Sequence, residues 1–369
     1  NVSADELSRR TGIDPWFTRS FSKIIAMERT IDSNDLSYDL LFKAKRLGFT
    51  DQRIGEIVNQ SAKDIRKLRK RLNIQPVYKM VDTCAAEFEA QTPYFYSTYE
   101  TENEAEPLPG KRALVLGSGP IRIGQGIEFD YCSVHAAWAL QEEGVKSILV
   151  NSNPETVSTD FDTSDRLYFE PLDEESIFDI IDNERLAIDS EHGENPPSIV
   201  QFGGQTAINL SQTLAKESMP ILGSTAHTID VASDRHLFEE FLRGIDIPNP
   251  PGGSVSNIQE ALQVANEIKY PVLVRPSYVL GGRAMEIVTN PEDLEKYMKE
   301  AVDVSDDSPI LLDKFLNFDI EVDIDLLSDG EEVFIAGIME HIEEAGIHSG
   351  DSGCSLPPYT LSDEIVSEL

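Results

Sequence analysis

Residues Lys111 to Asp130 read KRALVLGSGPIRIGQGIEFD, and their interpretation decides the fold. The short apolar run from Ala113 to Leu116 has the length and composition of a buried parallel strand. It runs into Gly117, Gly119, Gly124 and Gly126, with Arg122 set among them. Glycine lets backbone amides approach a ligand, and a helix beginning just beyond would aim its positive end at an anion. The spacing departs from the dinucleotide fingerprint, because Arg122 stands where G-x-G-x-x-G needs its third glycine. Two readings stay open at this point: a packing device and an anion-binding turn.

Working outward, the pattern from 111 to about 230 alternates strand and helix. DYCSVHAAWALQEEG reads as a helix ended by Gly144, and SILVN as a second strand. SIFDIIDNERLAI, SIVQFGG, TAINLSQTLAKE and PILG continue as helix, strand, helix and strand. Such alternation argues a doubly wound parallel sheet, whose ligands sit beyond the carboxyl ends of the strands. The polar residues Asn151, Asn153, Glu155 and Thr156 follow one strand, and Gly203, Gly204, Gln205 and Thr206 another.

A new unit begins after Asp230. The strand YPVLVRPS carries Arg275, a turn carries Gly281, Gly282 and Arg283, and PILLDKFL is a strand with Lys314. EVDIDLLSDGEEVFIAGIMEHIE reads as two strands around Ser328, Asp329 and Gly330, the first alternating Glu321, Asp323 and Asp325 with apolar residues. Cations, a Gly-Gly loop able to close over phosphates, and a carboxylate strand able to hold hydroxyls together describe a nucleotide clamp. Phosphoryl transfer relies on positioning and charge neutralisation, which agrees with the lack of a Ser-His-Asp or Cys-His arrangement.

Upstream, residues 1 to about 75 read as short helices. SAKDIRKLRKRL sets Ile65, Leu68 and Leu72 on one side and its cations on the other. A DNA-reading module is weighed against a solvated face or a subunit contact, and the acidic background favours the latter. The aromatic stretch from Pro76 to Glu100 reads as an irregular segment laid across another domain, followed by the linker TENEAEPLPG.

Among 369 residues, 66 are acidic and 31 basic, for a net charge of −35. That field disfavours nucleic acid and anionic membranes, and it fits a surface adapted to high salt. No apolar run reaches the ~18 residues that a membrane-spanning helix needs. NVSADELSRR lacks the apolar core of a signal peptide, and Asn1 in place of methionine suggests a fragment or a processed product. Cys84, Cys132 and Cys354 are too scattered for a disulfide framework or a thiolate metal site, which fits a reducing cytoplasm. Cys132 and Cys354 are expected to be buried small residues.

Five stretches resemble the large-subunit family of carbamoyl phosphate synthetase: RPSYVLGGRAMEIV, MEHIEEAGIHSGDS, GPIRIGQGIEFDY, NPETVSTDFDTSDRLYFEP and VDTCAAEF. The likeness runs from about residue 36 to the end and is weak over the first 30 residues. It implies an α/β protein with an N-terminal all-α domain. A helical oligomerisation domain with an extended linker would cover 1–109 and a pre-ATP-grasp domain with a doubly wound parallel sheet 110–230. The start of a truncated α+β ATP-grasp would cover 231–369. The family makes carbamoyl phosphate from bicarbonate, ammonia released from glutamine, and 2 ATP, in arginine and pyrimidine biosynthesis. VDTCAAEF, directly upstream, implies the half that phosphorylates carbamate.

By position, the resemblance makes Arg275 the phosphate contact and, with Arg283, the catalytic pair, under a mobile loop holding Gly281 and Gly282. Lys314 and Leu316 fall on the adenine side, Glu321 on the ribose, and Gly346, Ile347, His348 and Ser349 along the same nucleotide. Glu343 and Asp351 match contacts to an allosteric activator. The resemblance allows histidine where Lys314 stands. ATP and Mg²⁺ or Mn²⁺ are the implied cofactors, with the metal ligands on a later Gln and an E-x-N-P-R strand beyond Leu369. A glutamine amidotransferase small subunit and self-association through the helical domain are the implied partners. The chain alone is therefore expected to lack turnover, and measurable ATP-dependent carbamate phosphorylation by it would refute that. Another ATP-grasp ligase, such as a biotin-dependent carboxylase, and a non-catalytic oligomerisation fragment are the alternatives.

Overall fold

The computed structural model describes residues 2–88, 90, 92–120, 127–185, 195–276, 285–302, 310–316, 319–345, 347 and 351–369. The chain divides into two compact units, and the division falls between Phe238 and Glu239.

The first unit opens with five helices, α1 (Ala4–Thr11), α2 (Pro15–Asp32), α3 (Tyr38–Arg46), α4 (Asp51–Val58) and α5 (Ala62–Arg71). Hydroxyl caps set where the last three start: Ser37, Thr50 and Ser61 accept from the amides of Leu40, Arg53 and Asp64. Ile31, Leu41, Ala44, Phe49, Ile54, Ile65 and Ile74 form their common core. Gly55 lets α4 and α5 touch, since a Cβ there would meet the Gln60 carbonyl oxygen at 2.5 Å.

The aromatic stretch that the sequence presents as irregular contains β1 (Val77–Met80) and β2 (Tyr94–Thr98), an antiparallel hairpin. The hairpin pairs β2 alongside a parallel sheet, so the tyrosines and phenylalanines serve as strand residues. That sheet continues with β3 (Arg112–Leu116), β4 (Lys146–Asn151), β5 (Arg166–Phe169) and β6 (Ser198–Ile199) in the order β1-β2-β5-β4-β3-β6. Its helices are α6 (Glu128–Glu142), α7 (Glu174–Asn183), α8 (Gly204–Ile208), α9 (Ser211–Lys216) and α10 (Ala226–Ser233).

Alternation along the strands separates two cores. Leu114, Leu116, Ile148 and Val150 pack with Ile177, Ile181 and Leu214, whereas Val115 and Leu149 pack with Ala136 and Leu140 of α6. Helices on both faces make the sheet doubly wound. The linker is part of this body, because Ala105 is fully buried and Leu108 donates its amide to Glu184.

The basic face of α5 is not bare. Arg66 and Lys70 each lie 2.6 Å from Asp182 of α7, and Lys63 pairs with Glu217. Arg69 reaches Asp51 and Asp179, and Lys45 bridges Asp51 and Glu175. A basic helix in an acidic chain thus finds its counter-charges on the next domain of the same unit.

The second unit carries the end of α11 (Arg235–Gly244) and a sheet of β7 (Gly252–Val255), β8 (Val272–Pro276), β9 (Glu286–Val288) and β10 (Ile310–Lys314), ordered β7-β10-β8-β9. α12 (Ile258–Ile268) and α13 (Pro291–Val302) cover one face of it. A separate sheet joins β11 (Val322–Ser328), β12 (Val333–His341) and β13 (Cys354–Ser355), and α14 (Asp363–Glu368) follows. All three cysteines are free, and neither of the two expected to be buried is: Cys132 is half-buried and Cys354 exposed. No helix among the described residues is long and apolar enough to cross a membrane.

Candidate functional site

Two places concentrate polar groups beyond strand ends. The first is where the strand order of the parallel sheet reverses, between β3 and β6. Asn151, fully buried at the end of β4, accepts from the amides of Gly119 and Ser152, both at 2.9 Å, and its amide donates to Ser158. A Cβ on Gly117 would meet the Asn151 side chain at 2.6 Å, and one on Gly203 would meet the Gly117 and Leu116 carbonyl oxygens at 2.5 Å. The described glycines here therefore permit close packing of turn on turn. Asp130, buried in the first turn of α6, accepts from Ser158 N. Arg122, Gly124 and Gly126 lie outside the described residues.

The second place is the β7-β10-β8-β9 sheet. Val272, Val274, Ile310 and Leu312 point into the core under α12 and α13. Arg275 sits opposite Leu311 in register and so belongs to the other face, away from those helices. Its Nε lies 3.5 Å from Asp313 Oδ2, with the Arg275 side chain 36% exposed and that of Asp313 10%. Asp313 in turn lies over Gly252, where a Cβ would come within 2.2 Å of Oδ1. The pair presents a half-exposed guanidinium steadied by a buried carboxylate, an arrangement suited to a phosphate oxygen. Sequence reasoning missed Asp313; the only signal was its place one residue before Lys314 in an apolar strand.

Lys314 is brought to the strand beside Arg275 but to the opposite face, opposite Val272. Its Nζ donates to the carbonyls of Lys269 at 2.9 Å and Tyr270 at 3.0 Å. Leu316 is half exposed. Gly281, Gly282, Arg283, Gly346, His348 and Ser349 lie outside the described residues.

The carboxylate strand belongs to the other sheet. Glu321 accepts the His341 amide through its backbone oxygen. Asp323 Oδ2 lies 2.8 Å from His341 Nε2, and that bond, working against desolvation, raises the imidazole above its ordinary value. Glu340 is buried beside it. Desolvation pushes its carboxyl up, but hydrogen bonds from the Thr360 hydroxyl and the Thr360 and Tyr359 amides hold it below the usual range. Glu343 accepts the Gly353 amide at 2.6 Å, Asp351 is exposed, and Ile347 forms a bridge with Ala345. Among the described residues, no group of three or more His, Cys, Asp or Glu could hold a metal ion.

Three family models match the chain in sequence. The carbamoyl-phosphate synthetase large chain oligomerisation domain matches residues 1–73, the carbamoyl phosphate synthase preATP-grasp domain 109–231, and the carbamoyl-phosphate synthase L chain ATP binding domain 234–369. The carbamoyl phosphate synthase large chain of Thermotoga neapolitana is 53% identical over 370 residues, covering 100% of this chain and 33% of that protein. Its counterpart in Archaeoglobus fulgidus is 50% identical over 375 residues, covering 100% and 34%. The chain thus spans about a third of the length of these curated relatives. An ADP complex of N5-carboxyaminoimidazole ribonucleotide synthetase superimposes with a TM-score of 0.53 at 16% identity, over 72% of this chain and 62% of that one, and shares its fold. With three matching domains in order and half or more of its residues identical to relatives along its whole length, the chain belongs to the carbamoyl phosphate synthase large-chain family.

Proposed function

We propose that this chain is the part of a carbamoyl phosphate synthase large subunit that begins the carbamate-phosphorylating half. The whole enzyme makes carbamoyl phosphate from bicarbonate, glutamine-derived ammonia and 2 ATP, in arginine and pyrimidine biosynthesis, and pairs with a glutamine amidotransferase subunit. Residues 1–109 supply the helical oligomerisation domain and the extended linker that adds β1 and β2 to the parallel sheet, 110–230 the pre-ATP-grasp domain and 231–369 the start of the ATP-grasp.

The observation that carries the reading is Arg275, half exposed on the sheet face that α12 and α13 leave open, and steadied by Asp313. Its exposed guanidinium fits the polyphosphate of a nucleotide. Bound ATP supplies the phosphoryl group and Mg²⁺ or Mn²⁺ its charge neutralisation. The residues of this chain bind and orient: Arg275 and Arg283 take phosphate oxygens, Gly281 and Gly282 close over them, and Leu316, Glu321 and the 346–349 segment line the nucleoside. Glu343 and Asp351 contact an effector. The described carboxylates do not form a metal cage.

Titration calorimetry with ATP tests the reading. Arg275→Ala is expected to weaken binding at least tenfold, the loss of a charged hydrogen bond of about 1.5–3 kcal/mol. A chain that self-associates yet binds no ATP would instead be a scaffold. The three free, scattered cysteines support a cytoplasmic setting. The net charge of −35 further supports a surface adapted to high salt, with a melting temperature that rises in molar KCl. A melting temperature that is flat or falls in KCl would remove that part.

A further inference from the structure

Lys314 falls where the family resemblance expects an adenine contact, yet its geometry serves something else. Its backbone pairs with Val272, whose side chain is fully buried under α12 and α13, so Lys314 leaves the strand on the helix side of the sheet. Arg275 leaves on the other side. The Lys314 ammonium ends 2.9 Å from the Lys269 carbonyl oxygen and 3.0 Å from that of Tyr270.

These carbonyls lie just past α12. Lys269 caps that helix at φ 65 and ψ 145, where backbone oxygens have lost their helical partners and the helix dipole favours a cation. The same stretch of β10 is tied down from two further sides: Lys314 N donates to Pro251 O at 2.8 Å, and Phe315 N to Pro271 O at 3.2 Å. Val272 then starts β8, and Arg275 follows three residues later.

We infer that Lys314 is a positioning residue: its ammonium pins the α12–β8 connection and thereby sets where Arg275 enters the open face of the sheet. The ligand end it serves is the polyphosphate rather than the base. This rests on the nucleotide reading of the site given above, and the experiment separates the two.

In this chain, hydrogen exchange across residues 269–275 is measured together with calorimetric binding of tripolyphosphate and of adenosine. Lys314→Met is expected to speed exchange of these amides and to weaken tripolyphosphate binding about tenfold, the scale of losing charged hydrogen bonds, with adenosine binding unchanged. Lys314→Arg, which keeps a donor cation, is expected to restore both. Unchanged exchange in Lys314→Met overturns the pin, and so does a selective loss of adenosine binding, which would return Lys314 to the base. If the wild-type chain binds neither probe, the nucleotide reading fails, while the exchange comparison still decides the pin.

Discussion

Arg69 of α5 donates to both carboxylate oxygens of Asp51, at 2.8 and 2.9 Å, and to Asp179 Oδ2 of α7 at 3.1 Å. With its side chain 1% exposed, one guanidinium joins the helical module to the α/β sheet domain. Burial works to lower its pKa, but Asp179 and Asp51 more than offset that, so it stays charged.

Removing it strands carboxylates in a dry interface. Arg69→Ala is expected to cost about 3–5 kcal/mol in urea unfolding, as when one partner of a buried pair is deleted. Arg46→Ala, which breaks the exposed pair with Glu100 and removes a guanidinium lying over the Phe42 ring, is expected to cost about 1 kcal/mol. Equal effects of the two would mean that the Arg69 cluster is wet in solution.

Asp179 gives the interface a pH dependence. Desolvation pushes its carboxyl up to about 6, against the lowering influence of Arg69 and Arg66 and aided by Glu175 and Asp51. The folded state therefore holds the proton more tightly than the unfolded one. The resulting stabilisation is full below the unfolded value near 3.8 and is lost as pH rises through about 6, amounting to about 3 kcal/mol. Wild type should gain on Asp179→Asn as pH falls from 7 to 4. A stability difference between the two that ignores pH, or runs the other way, would contradict this.

Gly203 is needed for space, not for backbone freedom, since its φ is −91. Gly203→Ala drives a methyl into the Ala207 Cβ at 2.4 Å and into two strand-end carbonyls. We expect a loss of about 1–3 kcal/mol, read as a lowered urea midpoint. Gly330→Ala, in open space, tests the contrast: its cost comes only from its φ of +95.

His341 should titrate above an ordinary histidine because of Asp323. Stability from that pair is complete below the unfolded value near 6.5 and disappears as pH rises through the folded one. Imidazole NMR is the measurement, and Asp323→Asn should bring the titration back down. An unmoved titration would break the assignment.

Much of the fold was legible because it is local. Ala113 to Leu116 is a buried strand, Gly144 follows the helix before β4, and the turn at Ser328 to Gly330 separates β11 from β12, as periodicity and turn chemistry predict. The aromatic hairpin was not legible, because β1 and β2 are strands through pairing with each other and with β5. PILG, the last strand predicted for the parallel sheet, survives only as a bridge between Ile221 and Ser198, and TAINLSQTLAKE breaks into two helices around Leu210.

The same division holds at the site. The order of chemistry along the chain (glycine turn, Arg275, Lys314, carboxylate strand) is a property of neighbours in sequence and describes a nucleotide clamp, while the resemblance to the family rests on five longer motifs such as RPSYVLGGRAMEIV and VDTCAAEF. The packing role of Gly117, the union of Arg275 with Asp313, the turning of Lys314 toward the end of α12, and the capture of the basic α5 by α7 were decided only by the tertiary structure. Each depends on strand register or on a charge brought from a distant element, and residue spacing holds no record of either.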